Sequence, residues 1–89
     1  MFNSHRRSDI EIVHEILYLT RDGIRRTEIL YQGNLSYTQL QNYLPYLVQK
    51  DLVEEKTVQT NGYAYRLYQL TIKGSEVIAD IDRLISHFK

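Results

Sequence analysis

Residues 33–35, Gly-Asn-Leu, separate two helical patterns by only three residues, and this spacing constrains the fold more than any other feature of the chain. Residues 25–32 before it are predicted to form a short helix, with Gly33 as a left-handed cap at its end. Ser36-Tyr37-Thr38-Gln39 after it has the S-x-x-Q form of a capping box, which opens another helix. Two helices joined by so short a turn predict a helix-turn-helix motif.

Signals on both sides of this motif complete a small mixed fold. Ser8-Asp9-Ile10-Glu11 is a second capping box, S-x-x-E, and predicts a first helix over about residues 9–21. Two stretches rich in β-forming residues, 52–59 and 63–70, flank Thr60-Asn61-Gly62, where Asn-Gly predicts a hairpin with a type I′ turn. Thr71 is predicted to cap a last helix over about residues 72–88.

The order helix, helix, helix, hairpin, helix predicts an α+β fold that is mostly α. It corresponds to a winged helix-turn-helix with three helices, a β-hairpin wing and a C-terminal dimerisation helix. A chain of 89 residues has room for one small domain. We divide it into a flexible basic N-terminal arm (1–7), the winged helix-turn-helix domain (8–71) and the C-terminal dimerisation helix (72–89).

The charge of the chain is balanced overall but unevenly distributed. Eleven basic and eleven acidic residues give a formal net charge of zero, which argues against a protein that coats nucleic acid through bulk charge. Four of the five arginines in the first third of the sequence form two adjacent pairs, and three acids lie near its end: Arg6, Arg7, Arg25 and Arg26, against Glu76, Asp80 and Asp82. This segregation predicts a positive surface confined to one part of the fold.

The helix predicted after Ser36 has an apolar face and a polar face. At about 100° per residue, one face holds Leu40, Tyr43, Leu44 and Leu47. The opposite stripe holds Thr38, Asn42, Pro45 and Gln49, flanked by Gln39, Gln41 and Tyr46, and no residue from Tyr37 to Gln49 is charged. Asn, Gln and Thr are side chains that contact base edges in DNA, although the same residues also suit a face that only meets solvent.

Pro45 lies inside this helix, in the middle of the polar stripe. A proline there removes one backbone hydrogen bond and clashes with the carbonyl of Gln41. Because Leu44, Leu47 and Val48 continue the apolar face, we predict a kink over residues 41–45 rather than a break. The first turn then stays regular, and that is the part of a recognition helix that usually meets the bases.

The last predicted helix carries a continuous apolar stripe. From Val77 to Phe88 its apolar residues fall within an arc of about 120°. Such a stripe either packs on the first helix or joins two copies of the chain, and a three-helix core offers limited surface to cover it. We therefore predict a homodimer through this helix, with contacts from Val77, Ile78, Ile81, Leu84, Ile85 and Phe88.

Two stretches of the chain resemble a known family. Residues 33–55, GNLSYTQLQNYLPYLVQKDLVEE, and residues 68–74, YQLTIKG, are similar to an archaeal winged helix-turn-helix family of small transcriptional regulators and dimeric coiled-coil DNA-binding proteins. The matching residues are Thr27, Ile29, Tyr31, Asn34, Leu35, Ser36, Tyr37, Tyr68, Leu70, Thr71, Lys73 and Gly74. Members that coat DNA are more basic and have a longer last helix, and Asp51 stands where a glycine is usual. The resemblance therefore implies a specific regulator rather than an architectural protein.

The residues and the resemblance together predict sequence-specific binding of double-stranded DNA by a dimeric transcriptional regulator. The helix after Ser36 would enter the major groove, the wing would contact the backbone or minor groove, and arginines would hold phosphates. The predicted DNA contacts are Arg6, Arg7, Arg25, Arg26, Ser36, Tyr37, Thr38, Gln39, Gln41, Asn42, Tyr46, Lys56, Asn61, Tyr63 and Arg66.

Other classes of function are less well supported by the sequence. His5, His14 and His87 are scattered, there is no cysteine, and no phosphate-binding loop or nucleophile–base pattern occurs. We expect no enzyme activity, no metal, no cofactor and no membrane association, and a cytoplasmic, nucleoid-associated location. The main alternative is a protein–protein interaction module on the same scaffold, which the zero net charge favours. A redox or ligand sensor is a third alternative.

Overall fold

The computed structural model describes residues 8–89, which form six elements in the predicted order. The elements are α1 (Asp9–Leu19), α2 (Arg26–Gln32), α3 (Tyr37–Gln49), β1 (Val53–Thr60), β2 (Tyr63–Leu70) and α4 (Ile72–Ser86). The mostly α architecture with a β-hairpin wing is therefore confirmed. Both α1 and α4 end two residues earlier than predicted. The predicted basic arm with Arg6 and Arg7 lies outside the described residues.

Side-chain caps fix where two of the helices begin. At the start of α1, Ser8 Oγ accepts from the Glu11 amide at 3.2 Å, and Glu11 Oε1 accepts from the Ser8 amide at 2.9 Å. At the start of α3, Ser36 and Gln39 make the same reciprocal pair at 3.1 and 2.9 Å. Both predicted capping boxes are confirmed. Each satisfies backbone donors that the first turn of a helix leaves without an intrahelical partner.

The core lies between the first three helices and the base of the hairpin. The predicted inward face of α3 is confirmed, because Leu40, Leu44 and Leu47 are buried. They pack in one cluster with apolar residues of the other elements: Ile12, Ile16, Leu17, Ile24, Ile29, Leu35, Leu52, Val53 and Tyr68. Full burial of each large aliphatic side chain contributes about 1.5–3 kcal/mol. This cluster holds α3 in place with its other side facing solvent.

The turn between α2 and α3 differs from the prediction that Gly33 is left-handed. Gly33 has a φ of −81°, and the left-handed residue is Asn34, with a φ of 51°. Asparagine tolerates this conformation better than most residues. Gly33 is required by space instead, because a Cβ there would lie 2.8 Å from the carbonyl oxygen of Ile29. The next residue, Leu35, is buried and fixes the turn against the core.

The hairpin has a regular register but not the predicted turn. Antiparallel pairing runs from Val53 opposite Leu70 to Thr60 opposite Tyr63. A type I′ turn needs a positive φ at both central residues, yet only Gly62 has one, at 92°, and Asn61 does not. The type I′ prediction is therefore wrong, and the turn depends on glycine at its second position, as in type II turns. A third backbone segment also joins β2, because Ile24 and Tyr68 exchange hydrogen bonds of 3.1 and 2.8 Å.

The start of α4 is locked onto the loop before β1. Thr71 caps the helix as predicted, since its Oγ1 accepts from the Gly74 amide at 2.9 Å. The Thr71 amide in turn donates to the carbonyl of Leu52 at 3.1 Å. Gly74 is the one fully buried residue of α4, and a Cβ on it would collide with the carbonyl oxygen of Leu52. Farther along, the His14 imidazole of α1 hydrogen-bonds Asp82 of α4 at 2.7 Å.

Candidate nucleic-acid interface

The polar stripe predicted for α3 faces solvent. Thr38, Asn42, Pro45 and Gln49 are all exposed, and so are the flanking Gln41 and Tyr46. The α-helix continues through Pro45 to Gln49 without a break. This surface carries amides, a hydroxyl and a phenol but no charged side chain.

Three polar side chains near the start of α3 already have hydrogen-bond partners. Ser36 Oγ and Gln39 Oε1 are used in the capping box. Gln41 Oε1 accepts a hydrogen bond from Arg26 of α2. Thr38 and Asn42 lie beside them on the exposed surface. The geometry thus separates residues that build the helix end from residues available to a ligand.

Two arginines at the start of α2 lie over aromatic rings. The guanidinium carbon of Arg26 lies 5.7 Å from the centroid of the Tyr37 ring on α3. That of Arg25 lies 4.0 Å from the centroid of the Tyr65 ring on β2. Cation–π contacts of this kind hold a guanidinium in place without neutralising its charge. Arg25 therefore joins α2 to the hairpin, while Arg26 joins α2 to α3.

The two predicted cations of the wing lie on opposite faces of the hairpin. Lys56 is paired with Leu67 and Arg66 with Thr57, so their side chains alternate. Each lies near a carboxylate: Lys56 Nζ is 3.6 Å from Glu54, and Arg66 Nη1 is 3.8 Å from Glu55. At the tip, Asn61 and Tyr63 are exposed. The wing is therefore less basic than its lysine and arginine alone suggest.

A cavity of about 370 Å³ opens between α2, α3 and the hairpin. Leu44, Pro45 and Val48 form its apolar side, and its polar side includes Arg26 and Arg66. The Tyr68 hydroxyl donates to Glu55 Oε2 at 2.8 Å beside this space. Burial, the hydrogen bond to Glu55 and the charge of that carboxylate raise the pKa of the Tyr68 phenol, while Arg26 acts in the opposite direction. The phenol is thus a stable donor at neutral pH.

Sequence reasoning did not include Lys50 in this surface. Its Nζ lies 5.6 Å from the centroid of the Tyr46 ring, one turn earlier on α3. Lys50 is exposed at the C-cap of the helix. The sequence could have predicted this position, because Lys50 follows Tyr46 by four residues and residues at that spacing share a helix face. The exposed side of α3 therefore ends next to a cation.

The structure divides the predicted dimerisation residues of α4 into two groups. Val77 and Ile78 pack against the core cluster, which matches the alternative that this helix covers α1. Leu84 and Phe88 are 48% and 71% exposed, and Ile81 and Ile85 are partly exposed between them. The apolar stripe is thus covered only at its beginning.

Beside this stripe is an open groove of about 480 Å³. Its apolar lining comes from Ile10 and Val13 of α1, Tyr43 and Tyr46 of α3, and Ile81 of α4. The Tyr43 hydroxyl donates to Asp9 at one side of it, and this bond, burial and the charge of Asp9 raise the pKa of Tyr43. The groove continues the exposed apolar surface of α4 toward α3.

Residues 8–89 offer neither of two other kinds of site. No helix there is long and apolar enough to cross a membrane. Within the same range, the histidines and acidic residues form no group of three or more that is suited to hold a metal ion.

The motif resemblance agrees with comparisons to known proteins. A family model described as winged helix-turn-helix matches residues 6–89. An uncharacterized protein, MJ0290, of the archaeon Methanocaldococcus jannaschii is 33% identical over 86 residues, which cover 92% of this chain but 37% of that protein. The chain thus spans little more than a third of that relative's length.

Solved structures extend the similarity to three dimensions. Sso10a-2, a DNA-binding protein from Sulfolobus solfataricus, superimposes with a TM-score of 0.77 at 26% identity, covering 90% of this chain and 80% of that chain. A PadR-like transcription factor from Bacteroides fragilis gives a TM-score of 0.72 at 20% identity, with 86% and 82% covered. The second similarity concerns the fold alone. The family predicted from the motifs is confirmed.

Proposed function

This chain belongs to the winged helix-turn-helix family, and on that premise we propose that it is a DNA-binding transcriptional regulator. One observation carries the proposal: the exposed amide and hydroxyl stripe of α3 lies between cations, in a fold similar to that of the DNA-binding protein Sso10a-2. In this proposal α3 enters the major groove of double-stranded DNA. The wing contacts the backbone or the minor groove.

Base recognition is assigned to the first half of α3. Asn42 and Gln41 carry amides, which pair with adenine through two hydrogen bonds, and the Thr38 methyl group suits the thymine methyl group. Gln41 must exchange its bond from Arg26 to a base. Arg26 is then free to turn toward a phosphate, so the two contacts form together. Tyr37 and Tyr46 border this patch and are exposed.

Phosphate binding is assigned to three pairs of cations. Arg25 and Arg26 lie on one side of α3, Arg66 and Lys56 lie on the wing, and Arg6 and Arg7 precede α1. Such contacts fix the position of the protein on the duplex but carry no sequence information. Because cations outside α3 bind the phosphates in this proposal, α3 itself can recognise bases without carrying a charge.

A salt titration with two variants tests this assignment. We expect the wild type to bind a random 30-base-pair duplex with a log–log salt slope of about −4 or steeper, because each neutralised phosphate adds about −0.9. Arg25→Ala should weaken binding to every duplex about tenfold at low salt and flatten the slope by about 0.9. Asn42→Ala should leave the slope unchanged and weaken binding mainly to a target selected from a random library. Fluorescence anisotropy measures all three.

The contrary result would favour the second candidate function. The zero net charge of the chain and the acids beside Lys56 and Arg66 suit a module that binds another protein. Absence of binding to any duplex at low salt would exclude the DNA surface and favour that candidate. Equal losses on all sequences for Asn42→Ala would exclude its role in base recognition alone.

The proposed assembly is a homodimer through α4. Leu84 and Phe88 are large apolar side chains left exposed near the end of the helix, and a second copy related by a two-fold axis would bury them. Two recognition helices held at a fixed distance would contact successive major grooves on one face of the duplex. Dimerisation thereby increases both affinity and selectivity for paired half-sites.

A charge placed in this stripe should dissociate the dimer. We expect Leu84→Glu to raise the dimer dissociation constant about 100-fold or more, because a carboxylate would be buried without a partner. Ala79→Glu places the same charge on the exposed opposite side of α4 and should leave the dimer intact. Sedimentation equilibrium distinguishes the two masses. Dimers of equal stability in both variants would place the interface elsewhere.

A further inference from the structure

Glu55 makes contacts with two parts of the candidate interface. Its Oε2 accepts a hydrogen bond of 2.8 Å from Tyr68, and its Oε1 lies 3.8 Å from Arg66 Nη1. Glu55 is directly opposite Tyr68 in the hairpin register, and Arg66 is two residues from Tyr68 on the same face. All three side chains border the cavity beneath α3 together with Arg26. The carboxylate therefore stands among the cations assigned to phosphates.

Tyr68 holds this carboxylate in a defined place. The residue is 5% exposed, and its ring belongs to the core cluster. Its backbone is fixed on both sides, since Tyr68 pairs with Glu55 on β1 and with Ile24 before α2. A surface carboxylate usually moves too freely to compete well for a cation. The buried phenol removes much of that freedom from Glu55.

The wing offers a contrast on its other face. Glu54 lies 3.6 Å from Lys56, but both side chains are about half exposed, and they are two residues apart on one strand. An exposed pair of this kind contributes little and is readily separated by water and salt. Arg66 is more exposed still, at 70%, and its 3.8 Å contact with Glu55 is no shorter, so the two pairs differ in the carboxylate. Tyr68 holds Glu55 beside Arg66, whereas Lys56 meets an exposed carboxylate that moves freely and is therefore available to a phosphate.

We infer that Glu55 competes with DNA phosphate for the guanidinium of Arg66. In the free protein this carboxylate holds Arg66, and it thereby limits sequence-independent binding. The inference rests on the proposed function, because it assigns a role to one residue of that same surface. Binding to random DNA depends almost entirely on phosphate contacts. When Glu55 holds Arg66, binding to random DNA is therefore weakened most. A regulator with few available cations binds the rest of the genome only weakly.

Glu55→Gln tests the inference, because it removes the charge and keeps an oxygen that accepts from Tyr68. We expect it to bind a random 30-base-pair duplex about 3- to 10-fold more tightly than the wild type at low salt, with a slope steeper by about 0.9. Glu54→Gln removes the same charge from the neighbouring position on the other face. It should change the affinity less than about twofold. Circular dichroism melting verifies that both variants fold.

The outcomes separate this inference from the proposed function. Wild-type binding with a steep slope, together with an unchanged Glu55→Gln variant, would overturn the competitor role and leave DNA binding intact. Equal gains in Glu55→Gln and Glu54→Gln would also overturn it, because the effect would then be one of net charge. Absence of binding by the wild type and both variants at low salt would overturn the proposed function itself. A gain in anisotropy titrations confined to Glu55→Gln supports the assignment.

Discussion

Gly74→Ala is expected to destabilise the fold by about 3 kcal/mol or more, which is a large part of the stability of a domain of this size. A Cβ at this position would collide with the carbonyl oxygen of Leu52, and it would lie 2.6 Å from Leu70 Cδ1 and 3.1 Å from the Leu52 carbonyl carbon. The leucine side chain can turn aside, but the backbone cannot, since the same carbonyl accepts from the Thr71 amide. Alanine favours a helix by about 1 kcal/mol over glycine, and this gain is too small to offset the collision.

Thermal and denaturant unfolding measure the effect of Gly74→Ala. A loss of about 3 kcal/mol corresponds to a fall in Tm of more than about 10 °C for a domain of this size. Ser75→Ala is the matched control, because Ser75 is the next residue of α4 and is exposed. It should be neutral or stabilise by up to about 0.5 kcal/mol. Equal stability of the two variants would mean that α4 can shift away from Leu52 at little cost.

Pro45→Ala is expected to stabilise the protein by about 2 kcal/mol. Proline inside a helix costs about 3 kcal/mol, because it removes a hydrogen bond and crowds the carbonyl four residues earlier, here that of Gln41. Alanine makes the unfolded chain freer, which opposes the gain by about 0.4–1 kcal/mol. Pro45 is exposed in the middle of a continuous α3, so its removal opens no cavity in the core. The helix term is the larger one, and it decides the sign.

Denaturant unfolding of Pro45→Ala should give a higher midpoint with an unchanged slope. Gln49→Ala, one turn later on the same exposed stripe, is the control and should change stability by less than about 0.5 kcal/mol. A destabilised Pro45→Ala variant would contradict the argument. It would indicate that the ring contributes more through the cavity wall that it shares with Leu44 and Val48 than it costs α3.

Local hydrogen bonds explain why most of the fold was predictable from sequence. Ser8, Ser36 and Thr71 each cap a helix within three residues of themselves, so the signal and the structure lie in the same short stretch. The two turns were harder. Asn34 rather than Gly33 has the positive φ. Glycine is needed at position 33 for a different reason, because the carbonyl of Ile29 leaves no room for a Cβ there. Asn61 does not adopt the predicted conformation, and only Gly62 does.

Asp51 shows what a family pattern adds to local reasoning. It stands where the resembling family usually has glycine, and its φ is 63°. The position follows the Lys50 cap of α3 and precedes Leu52, whose amide returns to the carbonyl of Leu47 at 3.0 Å. Glycine suits this left-handed conformation without strain, whereas aspartate tolerates it at some cost. The left-handed backbone at Asp51 is therefore enough to account for a preference for glycine there.

The candidate site was predictable only in part. The exposed stripe of α3 followed from helical periodicity, which needs no knowledge of the rest of the fold. The contacts of Glu55, Tyr68 and Arg66 depend on hairpin register, and Arg26 meets Gln41 across 15 residues. The bond between Ile24 and Tyr68 likewise joins segments far apart in sequence. No short motif encodes contacts between residues so far apart in sequence. The pairing of Glu55 with Arg66 therefore follows only from the strand register.

The close contact between Gly74 and Leu52 fixes the base of α4, so the angle of this helix is set there. From Gly74 to its last residue, Ser86, the helix extends about 18 Å. A tilt of about 10° at the base would therefore move the far end by about 3 Å, which is about a tenth of one turn of DNA. In the proposed dimer, joined near the far end of α4, such a tilt would change the distance between the two copies of α3. The spacing of half-sites that such a protein accepts would then be set at Leu52, Leu70 and Gly74, none of which needs to touch DNA.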